Sequence, residues 1–365
     1  LPADLKDAKI AGADIAGSAD HCRLYGPPGT GKSTQAALRT ATRLLRDALR
    51  PADMTVVTYR KALAGVVEKK LWEWDVFGDP DTEEFEYWAT IHAAAQRSFG
   101  FFRHIESEHG DDAGMVDLGA EYDFCDKMDI RRDPPVPWER SKWQVFERAY
   151  RFAKNNLLDV GEYRFLDAHN ARNEYTRDPS KHLQMARLLE DYREEWEYPF
   201  EAVVDRWEEY KRQNGLYDFY EQLEAALTTS SPPAKHLVID EYHDATPLMA
   251  AVSERWIEAA DTAIIAGDPD QVVNAYKGAH PVFFEELPQR VTPDIPEIRL
   301  TRSYRVPDEH YAAASRILRK ERSVPQVVTD GPGKIFAHDA GSWAYDDDRG
   351  VWLVPDPDAP NSPPG

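Results

Sequence analysis

The 365-residue chain is short of several things. It has two cysteines, Cys22 and Cys125, which exclude a disulfide-stapled scaffold and fit no metal-binding spacing. No apolar run approaches the roughly 20 residues of a membrane-spanning helix, and we expect no membrane partner. The opening LPADLKDAKIAGAD has no basic stretch ahead of an apolar one, so it does not read as a secretory signal. Lysine is scarce, 15 against 29 arginines, and the 44 basic residues face 65 acidic ones for a net charge of −21. That argues against the basic surface with which most nucleic-acid binders neutralise phosphates. There is no internal repeat.

These shortages suit a cytoplasmic protein of a reducing interior. Acidic surplus with arginine favoured over lysine reads as a halophilic chain, from a halophilic archaeon or its virus. At ~1 M salt the Debye length is about 3 Å, so an acidic surface hardly repels itself. An ordinary acidic protein is the alternative. Residue 1 is leucine, which reads as a processed N-terminus or a fragment.

What is present is a set of short apolar runs: HCRLY (21–25), MTVVTY (54–59), HLVID (236–240), TAIIAG (262–267) and EIRLT (297–301). Each reads as a strand, and STQAALRTATRLLRDAL after the first has helical period. Strands alternating with helices imply an α/β fold with a parallel, doubly wound sheet. Residues 98–215 differ, being rich in Trp, Tyr, Arg and Glu with helical spacing, as in WERSKWQVFERAYRFAKNN. They read as an inserted helical subdomain whose aromatic stripes form its core. VPDPDAPNSPPG (354–365) reads as a disordered Pro-rich tail.

Two patterns carry chemistry. Gly26-Pro27-Pro28-Gly29-Thr30-Gly31-Lys32-Ser33, with Thr34 next, fits G-x-x-x-x-G-K-[ST] between a strand and a helix. Glycines let backbone N–H groups approach phosphate oxygens, Lys32 reaches the β and γ phosphates, and Ser33 ligates Mg²⁺. HLVIDEYHDATP then ends an apolar strand on Asp240, placed to hold the Mg²⁺ shell, with Glu241 beside it to orient or deprotonate an attacking water.

Further residues carry a resemblance. DEYHDATP (240–247) resembles motif II of superfamily 1 DNA helicases of the UvrD/Rep/PcrA type. AGDPDQVVNAYKGA (266–279) resembles their motif III, LTRSYRVP (300–307) motif IV, VVTYRKALAGVV (56–67) motif Ia, and ATIHAAAQRSF (89–99) motif Ib. YDFYEQLEAAL (217–227) resembles the segment that precedes motif II. The motifs stand in family order from about residue 21 to 335.

The resemblance implies a RecA-like P-loop NTPase domain that uses ATP and Mg²⁺ to move along single-stranded or partly duplex DNA. Catalysis would fall to Lys32, Glu241, Gln271 as γ-phosphate sensor and Arg305 as arginine finger. Tyr304 would stack on adenine, and Asp244 and Asp268 would link motifs II and III. Thr58, Tyr59, Arg60, Thr90, His92, Tyr276 and Lys277 would lie along the DNA. The implied order is a first motor part (1–97), the helical insert (98–215), a second motor part (216–290), and the start of a second RecA-like domain (291–353).

The chain departs from the family at several places. No glutamine precedes the loop to read adenine. His243 replaces the usual Gln, Asn274 a Tyr, Lys277 an Arg and Ser303 an Asn. Motifs V and VI are absent, so we expect an N-terminal portion with weak ATPase when isolated. The alternative is a nucleotide- and DNA-binding paralogue without motor activity, or one completed by a second polypeptide supplying motifs V and VI. A small P-loop kinase would have no use for motifs III and IV.

Overall fold

The computed structural model describes residues 20–59, 65–77, 85–98, 114–137, 139–158, 179–228, 232–306 and 310–312, and the strand backbones at 326–327, 344–346 and 351–353. Arg60, the N-terminal 19 residues and the Pro-rich tail lie outside the described residues.

The strands are β1 (His21–Tyr25), β2 (Met54–Thr58), β3 (Trp88–Thr90), β4 (Gly114–Met115), β5 (Leu216–Tyr217), β6 (His236–Asp240), β7 (Thr262–Gly267) and β8 (Glu297–Arg299). Six of them form one sheet in the order β3-β2-β6-β7-β1-β8, and every pairing in it is parallel. The expected α/β architecture is therefore present. Strands covered on both faces need apolar residues at nearly every position, which is why their sequences are continuous apolar runs rather than alternations. All six residues of β7 and all five of β2 are buried. The exceptions are the two edge strands: β3, three residues ending in a polar Thr90, which no apolar run announced, and β8, whose Glu297 and Arg299 are exposed.

The longer helices are α1 (Lys32–Arg46), α2 (Val66–Glu73), α3 (Ile91–Ser98), α4 (Leu118–Lys127), α5 (Lys142–Asn155), α6 (Pro179–Glu195), α7 (Phe200–Gln213), α8 (Phe219–Thr228) and α9 (Pro247–Ala259). The sheet core gathers Ile239, Ile265, Leu248 and the fully buried Trp256. A separate core in α4–α7 packs Phe124, Trp143, Phe146 and Trp207, with ring centroids about 5 to 6 Å apart and mostly edge-on or tilted. This is the favourable geometry for ring quadrupoles. Helix α8 packs against α3 and α9, so the segment that follows the helical core rests on the sheet's helices.

Between α5, α7 and α8 lies a polar knot. The ammonium of Lys211, whose side chain is 1% exposed, sits 2.9 Å from each of Glu208, Asp218 and Glu221. The Tyr150 hydroxyl lies 2.7 Å from Glu208 and 2.8 Å from Asp218.

The chain divides into two compact units: residues 1–27 with 31–300, and residues 28–30 with 301–365. Residues 291–300, assigned from the sequence to the following domain, belong to the first unit, because Glu297–Arg299 pairs with β1. In the second unit the described strands include a parallel pair, Arg302–Ser303 with Gln326–Val327. Both cysteines are free and buried. Among the described residues no helix is long and apolar enough to cross a membrane.

Candidate nucleotide and nucleic-acid site

The carboxyl ends of β1, β6 and β7 lie side by side, the usual place for a ligand on a parallel sheet. β1 leads into the Gly-rich loop and α1. Gly31 takes φ 87°, a left-handed conformation open to glycine at little cost, and α1 begins at the next residue. The helix has no side-chain cap and no acidic residue in its first turn. Its positive dipole end, with no carboxylate in the first turn, favours an anion.

Lys32 is buried, and its ammonium folds back to donate to the Gly26 carbonyl at 2.7 Å. Ser33 donates its hydroxyl to Asp240, and the Glu241 N–H donates to Asp240 Oδ1 at 2.9 Å. Burial raises the Asp240 pKa above the ordinary carboxylate value, against the pull of these two hydrogen bonds and of Lys32. The Asp240 carboxylate and the Ser33 hydroxyl are two hard oxygen donors side by side. They fit Mg²⁺, which takes few protein oxygens and completes its octahedron with water and phosphate.

β6 stops at Asp240 because the next residue turns sharply. Glu241 has φ 60° and ψ 34°, left-handed and strained for a side chain, and a single tight turn over Tyr242–Asp244 follows. The turn brings His243, 2% exposed, against β7: its Nδ1 accepts the Asp268 N–H at 3.2 Å and lies 3.4 Å from Glu241 Oε2. Asp268 Oδ2 accepts from Gln271 Nε2 at 2.7 Å. Asp244 is buried, and its N–H donates to the Glu241 carbonyl at 2.9 Å. His243, Asp268 and Gln271 are thus joined by hydrogen bonds, and the Glu241 carboxylate lies beside the first of them.

In the second unit the loop apex packs with the SYR segment. The Tyr304 N–H donates to the Gly29 carbonyl at 2.9 Å, and the Tyr311 hydroxyl donates to Pro28 O. Ser303 is fully buried and accepts the Val306 N–H at 3.2 Å. Tyr304 is 39% exposed with the Arg302 guanidinium 5.6 Å from its ring centre, and Arg305 is exposed.

A second group of residues lies along the ends of β2 and β3. Thr90, Thr58 and Asp240 stand in register across β3, β2 and β6. Thr90 Oγ1 accepts the Ala93 N–H and caps α3. Burial, then the charge of Lys277, pushes His92 down to about 4, so its ring is neutral at pH 7. Its edge meets Phe219 with centroids 5.6 Å apart, and Phe219 is 54% exposed. Tyr276 is 63% exposed, with the Lys277 ammonium 5.5 Å from its ring centre. Tyr59 is placed differently from the expected open aromatic. Its hydroxyl pairs with Ser253 Oγ at 2.7 Å, its ring edge meets Tyr242, and it packs on the sheet core.

The UvrD/REP helicase N-terminal domain matches residues 11–292, most of the chain. Over 334 residues the chain is 26% identical to the proteins named ATP-dependent DNA helicase UvrD2 of Mycobacterium tuberculosis and Mycobacterium bovis. That alignment covers 87% of this chain and 44% of each relative, so the chain spans less than half of their length.

The chain belongs to the UvrD/REP helicase family.

Within that family Phe219, in the segment YDFYEQL, is a further aromatic at the site that no motif pattern singles out. An aromatic next to Asp218 is the available signal in the sequence, and its exposure beside His92 gives it meaning. In the sequence His243 stands out only as a departure from the UvrD/REP pattern. Its acceptor role depends on a backbone N–H 25 residues away.

Proposed function

We propose that the chain works in an ATP-driven translocase or helicase on single-stranded DNA, carrying the hydrolytic centre and one face of the DNA path. The observation that supports this best is the Ser33–Asp240 hydrogen bond with Lys32 beside it, at the carboxyl ends of β1 and β6. Nucleotide arrival would draw the Lys32 ammonium from the Gly26 carbonyl to the phosphates. Ser33 and Asp240 would hold Mg²⁺, which when bound neutralises charge on the phosphate oxygens. Glu241 would orient the attacking water and accept its proton. Two residues on, His243 accepts the Asp268 N–H, and Asp268 accepts from Gln271, so the turn that carries the base is bonded to the segment that carries the phosphate sensor. Tyr304 would stack on the base and Arg305 would bring positive charge to the transition state.

On the DNA side, Tyr276 and Phe219 would stack on bases, with Thr58, Thr90, neutral His92 and Lys277 along the strand. Stacking contributes about 1–3 kcal/mol per base without phosphate neutralisation. That suits a chain of net charge −21. A second RecA-like domain, in the same polypeptide or another, would supply motifs V and VI.

The test is binding of a fluorescent ATP analogue and of labelled oligo(dT), with ATP turnover, in the unaltered chain, Lys32→Ala and Glu241→Gln. The unaltered chain should bind both ligands and hydrolyse ATP slowly. Lys32→Ala should lose nucleotide, and Glu241→Gln should keep nucleotide and lose turnover. A chain that binds neither ligand refutes the reading. Binding of both, with Glu241→Gln turning over as fast as the parent, favours the paralogue without motor activity.

A further inference from the structure

The turn that carries Tyr276 is held from beneath by the helical insert. Residues 275–277 form one tight turn in which no residue is buried, so it has little packing of its own. Two side-chain amides from elsewhere reach its main chain. Asn156, the residue that closes α5, is fully buried, and its Nδ2 donates to the Lys277 carbonyl at 3.2 Å and to the Phe152 carbonyl at 2.8 Å. Gln184 on α6 donates from Nε2 to the Tyr276 carbonyl at 3.1 Å.

The fit below the turn is close. Gly278 has φ 111°, and a Cβ there would stand 2.2 Å from Asn156 Oδ1. The same oxygen is buried and has no hydrogen-bond partner. A fully buried amide that accepts this penalty for one of its atoms (about 1–3 kcal/mol for such a group) is held there by its other contacts.

We infer that Asn156 and Gln184 are positioning residues for DNA binding, fixing the Tyr276–Lys277 turn so that the Tyr276 ring is presented in one orientation. The inference rests on the reading of Tyr276 as a base-stacking residue. It makes the helical insert part of the DNA site although its own amides touch no base. A stacking ring on an unheld turn must be ordered at the moment of binding, and two anchored carbonyls remove that cost beforehand.

The test compares the 365-residue chain with Asn156→Ala, Gln184→Ala, Tyr276→Ala and each amide variant combined with Tyr276→Ala. Readouts are labelled oligo(dT) affinity, fluorescent ATP-analogue affinity and amide hydrogen exchange over residues 274–279. Asn156→Ala should weaken oligo(dT) binding about fivefold or more, the scale of one buried hydrogen bond. Gln184→Ala, at a half-buried residue whose hydrogen bond faces solvent, should weaken it roughly two- to threefold, the scale of a weaker solvated hydrogen bond. In the Tyr276→Ala background both losses should shrink below about twofold. Nucleotide affinity should hold, and exchange over the turn should rise.

Oligo(dT) binding that depends on Tyr276 but on neither amide overturns the inference alone. So does a loss of equal size in the Tyr276→Ala background, or a matching loss of nucleotide affinity. If Asn156→Ala does not fold, Gln184→Ala alone decides between these outcomes. An unaltered chain that does not bind oligo(dT), or binds it as well after Tyr276→Ala, overturns the DNA reading and this inference with it.

Discussion

His243 Nδ1 lies 3.4 Å from Glu241 Oε2 while it accepts the backbone N–H of Asp268 at 3.2 Å. The second contact needs a lone pair on Nδ1, so the proton of the neutral ring is on Nε2. The imidazole therefore stands between the base of motif II and the backbone of motif III as an acceptor. Replacing it with alanine takes an acceptor from the N–H of Asp268, itself 1% exposed. His243→Ala should cost about 1–3 kcal/mol of stability. His243→Gln, which restores an acceptor of similar reach, should recover most of it. Urea denaturation of the two variants measures the difference, and equal losses would show that the contact carries no stability.

Burial disfavours the charged form of Asp240 and raises its pKa. Asparagine in its place keeps an oxygen for the Ser33 hydroxyl and the Glu241 N–H while removing the charge. Asp240→Asn should therefore melt higher than the parent at neutral pH. It should also lose most of the Mg²⁺-dependent part of its nucleotide affinity, since Ser33 alone would remain as a ligand. Thermal melts and ATP-analogue titrations with and without Mg²⁺ check both halves. A lower melting temperature would mean that the carboxylate is stabilised by more than these contacts.

The strands of the sheet were legible in the sequence where burial on both faces forced apolar runs, as in HLVID and TAIIAG. β3 was not, because Trp88–Thr90 is three residues long and the next residue, Ile91, already begins a helix. The individual site residues were legible for a related reason: a phosphate loop or a strand-end carboxylate pair is a local pattern. The contacts between them were not. Asn156 and Lys277 are 121 positions apart, and nothing in FAKNN announces that one amide turns toward a distant carbonyl. Tyr59 shows the converse. In VVTYRK it reads as an open aromatic, but the side chain follows β2 into the core and finds Ser253.

The knot around Lys211 makes a pH prediction. Three carboxylates share one buried ammonium, and the charge is divided unequally. The charge of Lys211 and its hydrogen bond hold Asp218 below its ordinary value although burial opposes this. Burial pushes Glu221 up to about 7, with Asp218 adding to the rise and Lys211 opposing it. A carboxyl whose folded pKa is raised takes up protons more readily folded than unfolded. Its stabilising contribution is present below about 4.5 and is lost as pH rises through about 7. Glu221→Gln should thus gain stability relative to the parent between pH 5 and pH 8, by about 1–3 kcal/mol across that window. Lys211→Met, which leaves the carboxylates without their cation, should lose about 3–5 kcal/mol at neutral pH. Denaturation at the two pH values decides, and a difference between Glu221→Gln and parent that does not change with pH would place the proton elsewhere in the knot.

Tyr276 and Lys277 adjoin each other on the same exposed turn, so salt can separate their contributions. Stacking on Tyr276 depends little on ionic strength, and its loss should cost roughly tenfold in single-strand affinity. A phosphate contact by Lys277 gains most of its strength from counterion release, which fades in molar salt. Lys277 also lies over the Tyr276 ring, 5.5 Å from its centre, so removing it frees one face of the stacking surface. Tyr276→Ala should therefore weaken oligo(dT) binding at both low and molar salt. Lys277→Ala should weaken it at low salt and leave it nearly unchanged, or slightly tighter, at ~2 M salt. Anisotropy titrations across the salt series measure both slopes. Equal losses for the two variants at molar salt would mean that charge, and not stacking, carries the affinity of this acidic chain.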